Sequence, residues 1–292
     1  MLKLTSIKVG YIVSYDYEYL LTSINTLYDY VDKIVLAIDI NRQTWSGNKF
    51  EIPQSFFDSI KEFDKRNIIE IYFEDFYVPS LSPMECETRE RNLLLKKLGR
   101  KGWKLQLDVD EYIYDFKTVK KFLLRNWFFN VFPKLTPMQF RGKLITLFKE
   151  IQDGFLYIDN NERFSFITNG IQNETARLDS KTPSFYTDIV VVHQSWARKK
   201  EEIVQKISNW GHRDDFDTAA YYDFWDKLNQ SNYLDYVNIH PMRPELWNKL
   251  YLLNCNGINE FITNYAVLHP QKITQFDSRF LYDKVKKKLF KK

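Results

Sequence analysis

Residues 105–111 read Leu105-Gln106-Leu107-Asp108-Val109-Asp110-Glu111, an apolar run that passes directly into two aspartates one residue apart. Side chains on a strand alternate between its faces with a period of two, so a strand carried through this stretch turns both carboxylates to one side. Two carboxylates crowded at a buried strand end are costly without a compensating cation. Hard oxygen ligands of this kind suit Mg2+ or Mn2+, ions that bind through one or two carboxylates and complete their shell with substrate phosphates. Asp108 and Asp110 are therefore candidate metal ligands; the alternative reading of Asp-X-Asp is a surface turn.

Upstream, short apolar runs alternate with amphipathic segments. Strands are expected at residues 8–14 (KVGYIVS), 33–39 (KIVLAID), 68–73 and 103–107, with helices at 19–30, 54–65 and 85–98 between them. This is the pattern of an α/β protein, a mostly parallel central sheet flanked by helices with right-handed crossovers. Ligands of such sheets gather beyond the carboxyl ends of the strands. Ser14 with Asp16, Asp39, and Asp108 with Asp110 fall at those ends. Downstream the pattern is less regular, with a helix expected at 117–127, β-rich runs at 138–148, 155–158 and 164–168, a strand at 189–193 and a helix at 199–210. Neither an internal repeat nor a Pro/Gly/Ser-rich linker interrupts the chain, so one continuous domain is the simpler expectation.

The composition agrees with a folded globular protein: 44% hydrophobic and 17% aromatic residues, with 9 Gly and 9 Pro among 292 residues. A net charge of only +4 excludes a face built for nucleic acid. Cys86 and Cys255 have neither zinc-site spacing nor disulfide-scaffold density, which reads as free thiols in a reducing compartment. No run approaches the roughly 20 apolar residues of a membrane span, nor is there a leader-like start, so the expected location is the cytoplasm.

Residues 88–111, TRERNLLLKKLGRKGWKLQLDVDE, resemble the segment of family 2 glycosyltransferases in which an Arg-Asn helix leads through a tryptophan strand into Asp-X-Asp. The resemblance implies a GT-A (Rossmann-like) fold, a nucleotide-sugar donor, Mn2+ or Mg2+, and inversion at the anomeric carbon. It further implies that Asp110 ligates the metal while Asp108 lies near the ribose or metal-bound water. Val13-Ser14-Tyr15-Asp16 resembles the family's first-strand turn, and Asp39 its nucleotide-contacting acid, although Ile40-Asn41-Arg42-Gln43 stands where the family has Asp-Gly-Ser. On this reading residues 1–115 form the donor-binding half, 116–215 the acceptor-side half, and 216–292 a C-terminal helical extension.

His193, in His193-Gln194-Ser195-Trp196, resembles the downstream histidine that joins the metal in some GT-A enzymes; otherwise it is a histidine hydrogen-bonded at a strand end. His212 competes for the role. Arg91 is a candidate diphosphate contact, as are Arg89, Arg198 and Lys199, each of which also fits a solvated helix face. Inverting transfer needs a carboxylate to take the acceptor's proton. Glu174 and Asp179, flanking Arg177, are the first candidates, followed by Asp188 and Glu202. The basic tail 280–292 (FLYDKVKKKLFKK) is either a solvated helix or a peripheral contact with the inner membrane surface, which would suit a lipid-linked saccharide acceptor.

A haloacid-dehalogenase-type phosphatase is disfavoured by Tyr112 two residues past Asp110 and by the motif's place on the fourth strand. Neither a Gly-rich phosphate loop nor a dinucleotide fingerprint is present. A non-catalytic nucleotide- or glycan-binding member of the fold is the remaining alternative.

Overall fold

The computed structural model describes residues 4–160, 162–209 and 216–273. β1 (Ile7–Ile12), β2 (Lys33–Asp39), β3 (Ile69–Glu74) and β4 (Trp103–Asp108) form a parallel block. β1 lies at its centre, pairing Lys8 with Lys33 of β2 on one side and Ile12 with Asp108 of β4 on the other, while β3 lies outside β2. β1 and β2 are near-continuous apolar runs because helices cover the parallel block. α1 (Leu20–Asn25), α2 (Gln54–Phe63) and α3 (Pro83–Leu98) make the crossovers.

α3 starts where its capping box dictates: Ser82 accepts from the Glu85 amide, the Glu85 carboxylate accepts from the Ser82 amide, and Pro83 occupies the first turn. It packs directly on β1, since a Cβ at Gly10 would come within 2.9 Å of three carbons of Leu94. The expected helix at 19–30 is broken into α1 and two flanking 3-10 turns, Tyr17–Tyr19 and Tyr28–Tyr30. At the break the Thr26 hydroxyl donates to the Ser23 carbonyl at 2.8 Å, a local bond that competes with helix continuation.

β4 is buried on both faces. Trp103, Leu105 and Leu107 enter the main core, whereas Lys104 and Gln106 face polar partners: Lys104 Nζ donates to the Asn169 carbonyl at 2.9 Å, and Gln106 Nε2 to the Arg91 carbonyl at 2.7 Å. This polar row ends at Asp108.

Beyond β4 come β5 (Glu111–Tyr112), α4 (Phe116–Arg125), β6 (Gln139–Ile151), β7 (Gly154–Ile158), β8 (Arg163–Thr168) and β9 (Ser184–His193). β6 pairs antiparallel with β7 and β8 and parallel with β9, and β8 joins β4 antiparallel. The sheet is therefore mixed, with its parallel character confined largely to the first block. Among the described residues it has ten strands, in the order β7-β6-β8-β4-β1-β2-β3 along its main path, with β9 paired to β5 and β6.

The last part contains α5 (Lys200–Asn209), α6 (Thr218–Lys227), β10 (Tyr251–Asn254) and α7 (Ile258–Leu268). Within the expected helical extension at 216–292, α6 and α7 are accompanied by a strand, β10, which pairs antiparallel with β7 and extends the sheet. The Phe261 and Tyr265 rings of α7 pack on Tyr157, which holds this part against the same core. His212 and the basic tail 280–292 lie outside the described residues.

Candidate functional site

A cavity of about 380 Å3 lies at the carboxyl ends of β1 and β4. The strand order reverses between these two strands, which is where open α/β sheets place ligands. Ser14, Asp16, Asp39, Arg91, Asp108, Asp110 and His193 all line it. The sequence positions come together there, divided between two ion clusters.

The strand ends at Asp108, and Val109-Asp110 form a turn. Alternation along a strand no longer applies there, so the two aspartates enter separate ion clusters. Asp108 accepts from Arg91 at 2.9 Å through one oxygen and from Arg177 at 3.2 Å through the other. Burial would push its carboxyl up, but the two guanidinium groups outweigh that and bring it down to about 2. Arg177 in turn forks onto Glu111 with bonds of 2.6 and 2.8 Å, and lies 4.9 Å over the Phe164 ring. Asp108, expected at the metal, is here the partner of two arginines.

Asp110 belongs to the second cluster. Its Oδ2 accepts from Arg198 and stands 3.4 Å from His193 Nε2, and Arg198 also reaches Asp16 at 3.1 Å. Burial raises the Asp110 carboxyl, yet His193 and Arg198 hold it well below the usual carboxylate range. The β5–β9 pairing produces this meeting: Glu111 is opposite His193, and the Gln194 amide donates to the Asp110 carbonyl at 2.9 Å.

Does this donor set fit Mn2+ or Mg2+? Asp110 oxygen and His193 nitrogen are acceptable ligands, and their 3.4 Å separation is close to the roughly 3 Å between adjacent ligands of an octahedral ion with bonds of about 2.1 Å. Among the described residues no group of three or more His, Cys, Asp or Glu side chains could hold a metal ion. Asp110 and His193 are thus two side chains of suitable donor type and spacing, with Arg198 as the resident counter-charge on Asp110.

Asp39 takes no open role. Its carboxylate accepts from the amides of Asn41 at 2.9 Å, Gln43 at 3.0 Å, Phe76 at 2.9 Å and Tyr77 at 3.3 Å, so it organises two loops at the cavity instead of offering a free oxygen to a nucleotide. Ser14 donates to Asp16 at 3.0 Å and shapes the turn after β1. Arg89 donates to the Phe76 carbonyl at 3.1 Å, and the Lys199 amide to Glu202 at 2.9 Å; neither residue lines the cavity.

The nominated bases also lie outside the cavity. Glu174 is exposed and accepts from the Ser180 amide at 3.2 Å. Asp179 accepts from the Thr182 hydroxyl at 2.6 Å and the Lys181 amide at 3.0 Å. Both carboxylates are turn-formers; the cavity instead receives Arg177 from between them. Asp188 pairs with Arg163 at 3.5 Å, and Glu202 accepts from Tyr19 at 2.8 Å.

Sequence reasoning missed Glu162, Glu90 and Lys206, all of which line the cavity. Glu162 Oε2 accepts from Trp247 Nε1 at 3.4 Å. Glu90 is buried, accepts from Trp45 Nε1 at 2.6 Å, and has its carboxyl pushed up by burial to about 8. Burial and Arg198 lower the Lys206 ammonium. One signal was available for Glu90, an acid flanked by two arginines on an otherwise strongly patterned helix. The loop bearing Trp45 is clasped to the end of α5 by bonds from Thr44 at 2.8 Å and Asn48 at 2.9 Å to the Asn209 side chain.

No family model matches the chain, and no curated protein matches it. Among solved structures, one similar chain is a mannose-6-phosphate isomerase from Helicobacter pylori, 14% identical, with a TM-score of 0.32 over 52% of this chain. The match spans 55% of that structure's length.

Proposed function

We propose that the chain is an inverting glycosyltransferase of the GT-A type, moving a sugar from a nucleotide-linked donor, UDP-linked as the first choice, to a saccharide or lipid-linked saccharide acceptor in surface-glycan assembly. The observation that carries the reading is the Asp110–His193 pair, 3.4 Å apart, inside a cavity at the switch point between β1 and β4. Carboxylates outnumber cationic side chains in the cavity lining, so an anionic diphosphate needs added positive charge to be drawn in.

Asp110 and His193 would hold Mn2+ or Mg2+, which when bound supplies charge neutralisation for a leaving diphosphate. Arg91 and Arg177, held in place by Asp108, Glu87 and Glu111, add two fixed guanidinium groups to the cavity lining. Such preorganised charge stabilises a leaving group without reorganisation at the moment of transfer. Glu162 is the proposed base: it lines the cavity beside Trp247 and takes the acceptor's hydroxyl proton.

Calorimetric titration of UDP and GDP, with and without Mn2+, tests the reading in the wild type, Asp110→Asn and His193→Ala. Binding that needs the metal and is lost in both variants is the expected result. Nucleotide binding indifferent to Mn2+ and to both substitutions would end the metal assignment, and no binding at all would leave the non-catalytic alternative.

A further inference from the structure

Among the described residues, the largest run of exposed apolar side chains lies at the end of the sheet remote from the cavity. Within the nine residues 127–135, Trp127 and Phe128 are 40% exposed, Phe132 63% and Leu135 72%, with Val131 beside them. Isolated exposed apolar residues are ordinary, but five in one short stretch make a patch. The segment is firmly held. Phe129 and Asn130 are buried between the exposed positions; Phe129 packs on Trp103, Asn130 Nδ2 donates to the Leu4 carbonyl at 3.1 Å, and Asn169 Nδ2 donates to the Phe129 and Thr136 carbonyls at 2.9 Å each. The exposed rings therefore cannot fold inward without breaking this anchor.

The charge around the patch is one-sided. From Phe116 to Lys149 the chain has eight Lys and Arg and no Asp or Glu, twice the excess of the whole protein within 34 residues. Lys117 and Lys121 along α4, Arg125 at its end and Lys134 within the patch are exposed, and none has an ion-pair partner among the described residues. Aromatic and aliphatic side chains projecting from a basic rim fit the headgroup region of a bilayer, where rings enter the interface and lysines meet anionic lipid. A protein partner of matching character would have to supply an acidic surface with an apolar centre; a bilayer bearing acidic lipid supplies both over any orientation.

We propose that residues 117–135 form a docking surface for membranes containing anionic phospholipid. Insertion of Trp127, Phe128, Phe132 and Leu135 gives the hold, and the lysines of α4 give the selectivity for acidic headgroups. Trp103 starts β4 next to the patch and Asp108 ends it at the cavity, about 17 Å on at 3.3 Å per strand residue, so docking leaves the cavity at the far end of the strand. The surface does not depend on the glycosyltransferase reading.

The test is co-sedimentation of the full chain with vesicles of phosphatidylcholine alone or mixed with phosphatidylglycerol. Wild type should pellet only with the mixed vesicles. A Phe132→Ser, Leu135→Ser variant should bind at least tenfold more weakly, and a Lys117→Gln, Lys121→Gln variant should lose most of the preference for phosphatidylglycerol. All four positions are exposed, so circular dichroism should be unchanged. Wild-type binding absent from both vesicles overturns the proposal. So does undiminished binding of the serine variant, whether a Lys286→Gln, Lys287→Gln, Lys288→Gln variant shows the tail to be the anchor or sedimentation shows the patch to be a self-association surface.

Discussion

Arg198 bonds to the same Asp110 oxygen that stands 3.4 Å from His193, and its guanidinium lies 4.7 Å over the Tyr19 ring. Both partners are buried, so the pair is high in energy if either charge is left alone. The consequence is a reciprocal dependence on metal. Arg198→Met should lower stability by about 3–5 kcal/mol in metal-free buffer, because Asp110 and Asp16 lose their counter-charge. Mn2+ should then raise the melting temperature of the variant more than that of the wild type. An equal response of the two proteins to Mn2+ would show that no cation reaches Asp110.

The other aspartate's cluster depends on its arginine in the same way, without metal. Arg177 is the fork between Glu111, itself buried, and Asp108. Arg177→Gln alone should cost about 3–5 kcal/mol. Pairing it with Glu111→Gln should cost less than the sum of the two single changes, with a coupling of about 1–3 kcal/mol measured by urea unfolding. Additive losses would mean that the fork contributes nothing beyond its separate contacts.

These clusters explain what the sequence could and could not disclose. β1 and β2 were legible as near-continuous apolar runs, β4 by the alternation of Trp103, Leu105 and Leu107 with Lys104 and Gln106, and His193 because it closes the apolar run of β9. The ion pairs were not. Arg177 is 69 residues from Asp108 and Arg198 is 88 from Asp110, and no local pattern distinguishes them from surface arginines. The alternation argument failed at Asp110 because the chain leaves the strand one residue earlier. The beginning of α3 was set by Ser82, Pro83 and Glu85, a signal present in the sequence but overshadowed by the apolar period that starts further on. In the second half, β6 has register shifts against all three of its partners, and β10 returns from beyond two helices to pair with β7; non-local pairing of this kind has no periodic signature.

Glu90 makes stability depend on pH. Burial raises its carboxyl from 4.5 to about 8, so between these values the folded chain holds a proton that the unfolded chain has released. Its contribution is fully present below about pH 4.5, declines as pH rises, and is gone above about pH 8. Glu90→Gln keeps a neutral group beside Trp45 and removes this slope. The gap between variant and wild type in denaturant midpoint should therefore shift in the variant's favour from pH 5 to pH 8.5. A gap that stays constant over that range would place the Glu90 carboxyl in the ordinary carboxylate range.

Glu162 and the two acids nominated from the sequence separate cleanly by experiment. Glu162 lines the cavity next to Trp247, while Glu174 and Asp179 are bonded into turns that do not line it. If Glu162 takes the acceptor's proton, Glu162→Gln lowers turnover by about 10²–10⁴-fold, the usual contribution of a general base, and leaves nucleotide affinity unchanged. Glu174→Gln and Asp179→Asn should retain turnover, at most with lower melting temperatures from weakened turns. The readout is release of the nucleotide product with acceptor present, alongside calorimetric nucleotide binding for each variant. A selective loss in Asp179→Asn with Glu162→Gln fully active would require the 172–182 loop to move its acid into the cavity, against the bonds that Thr182 and Lys181 now make to it.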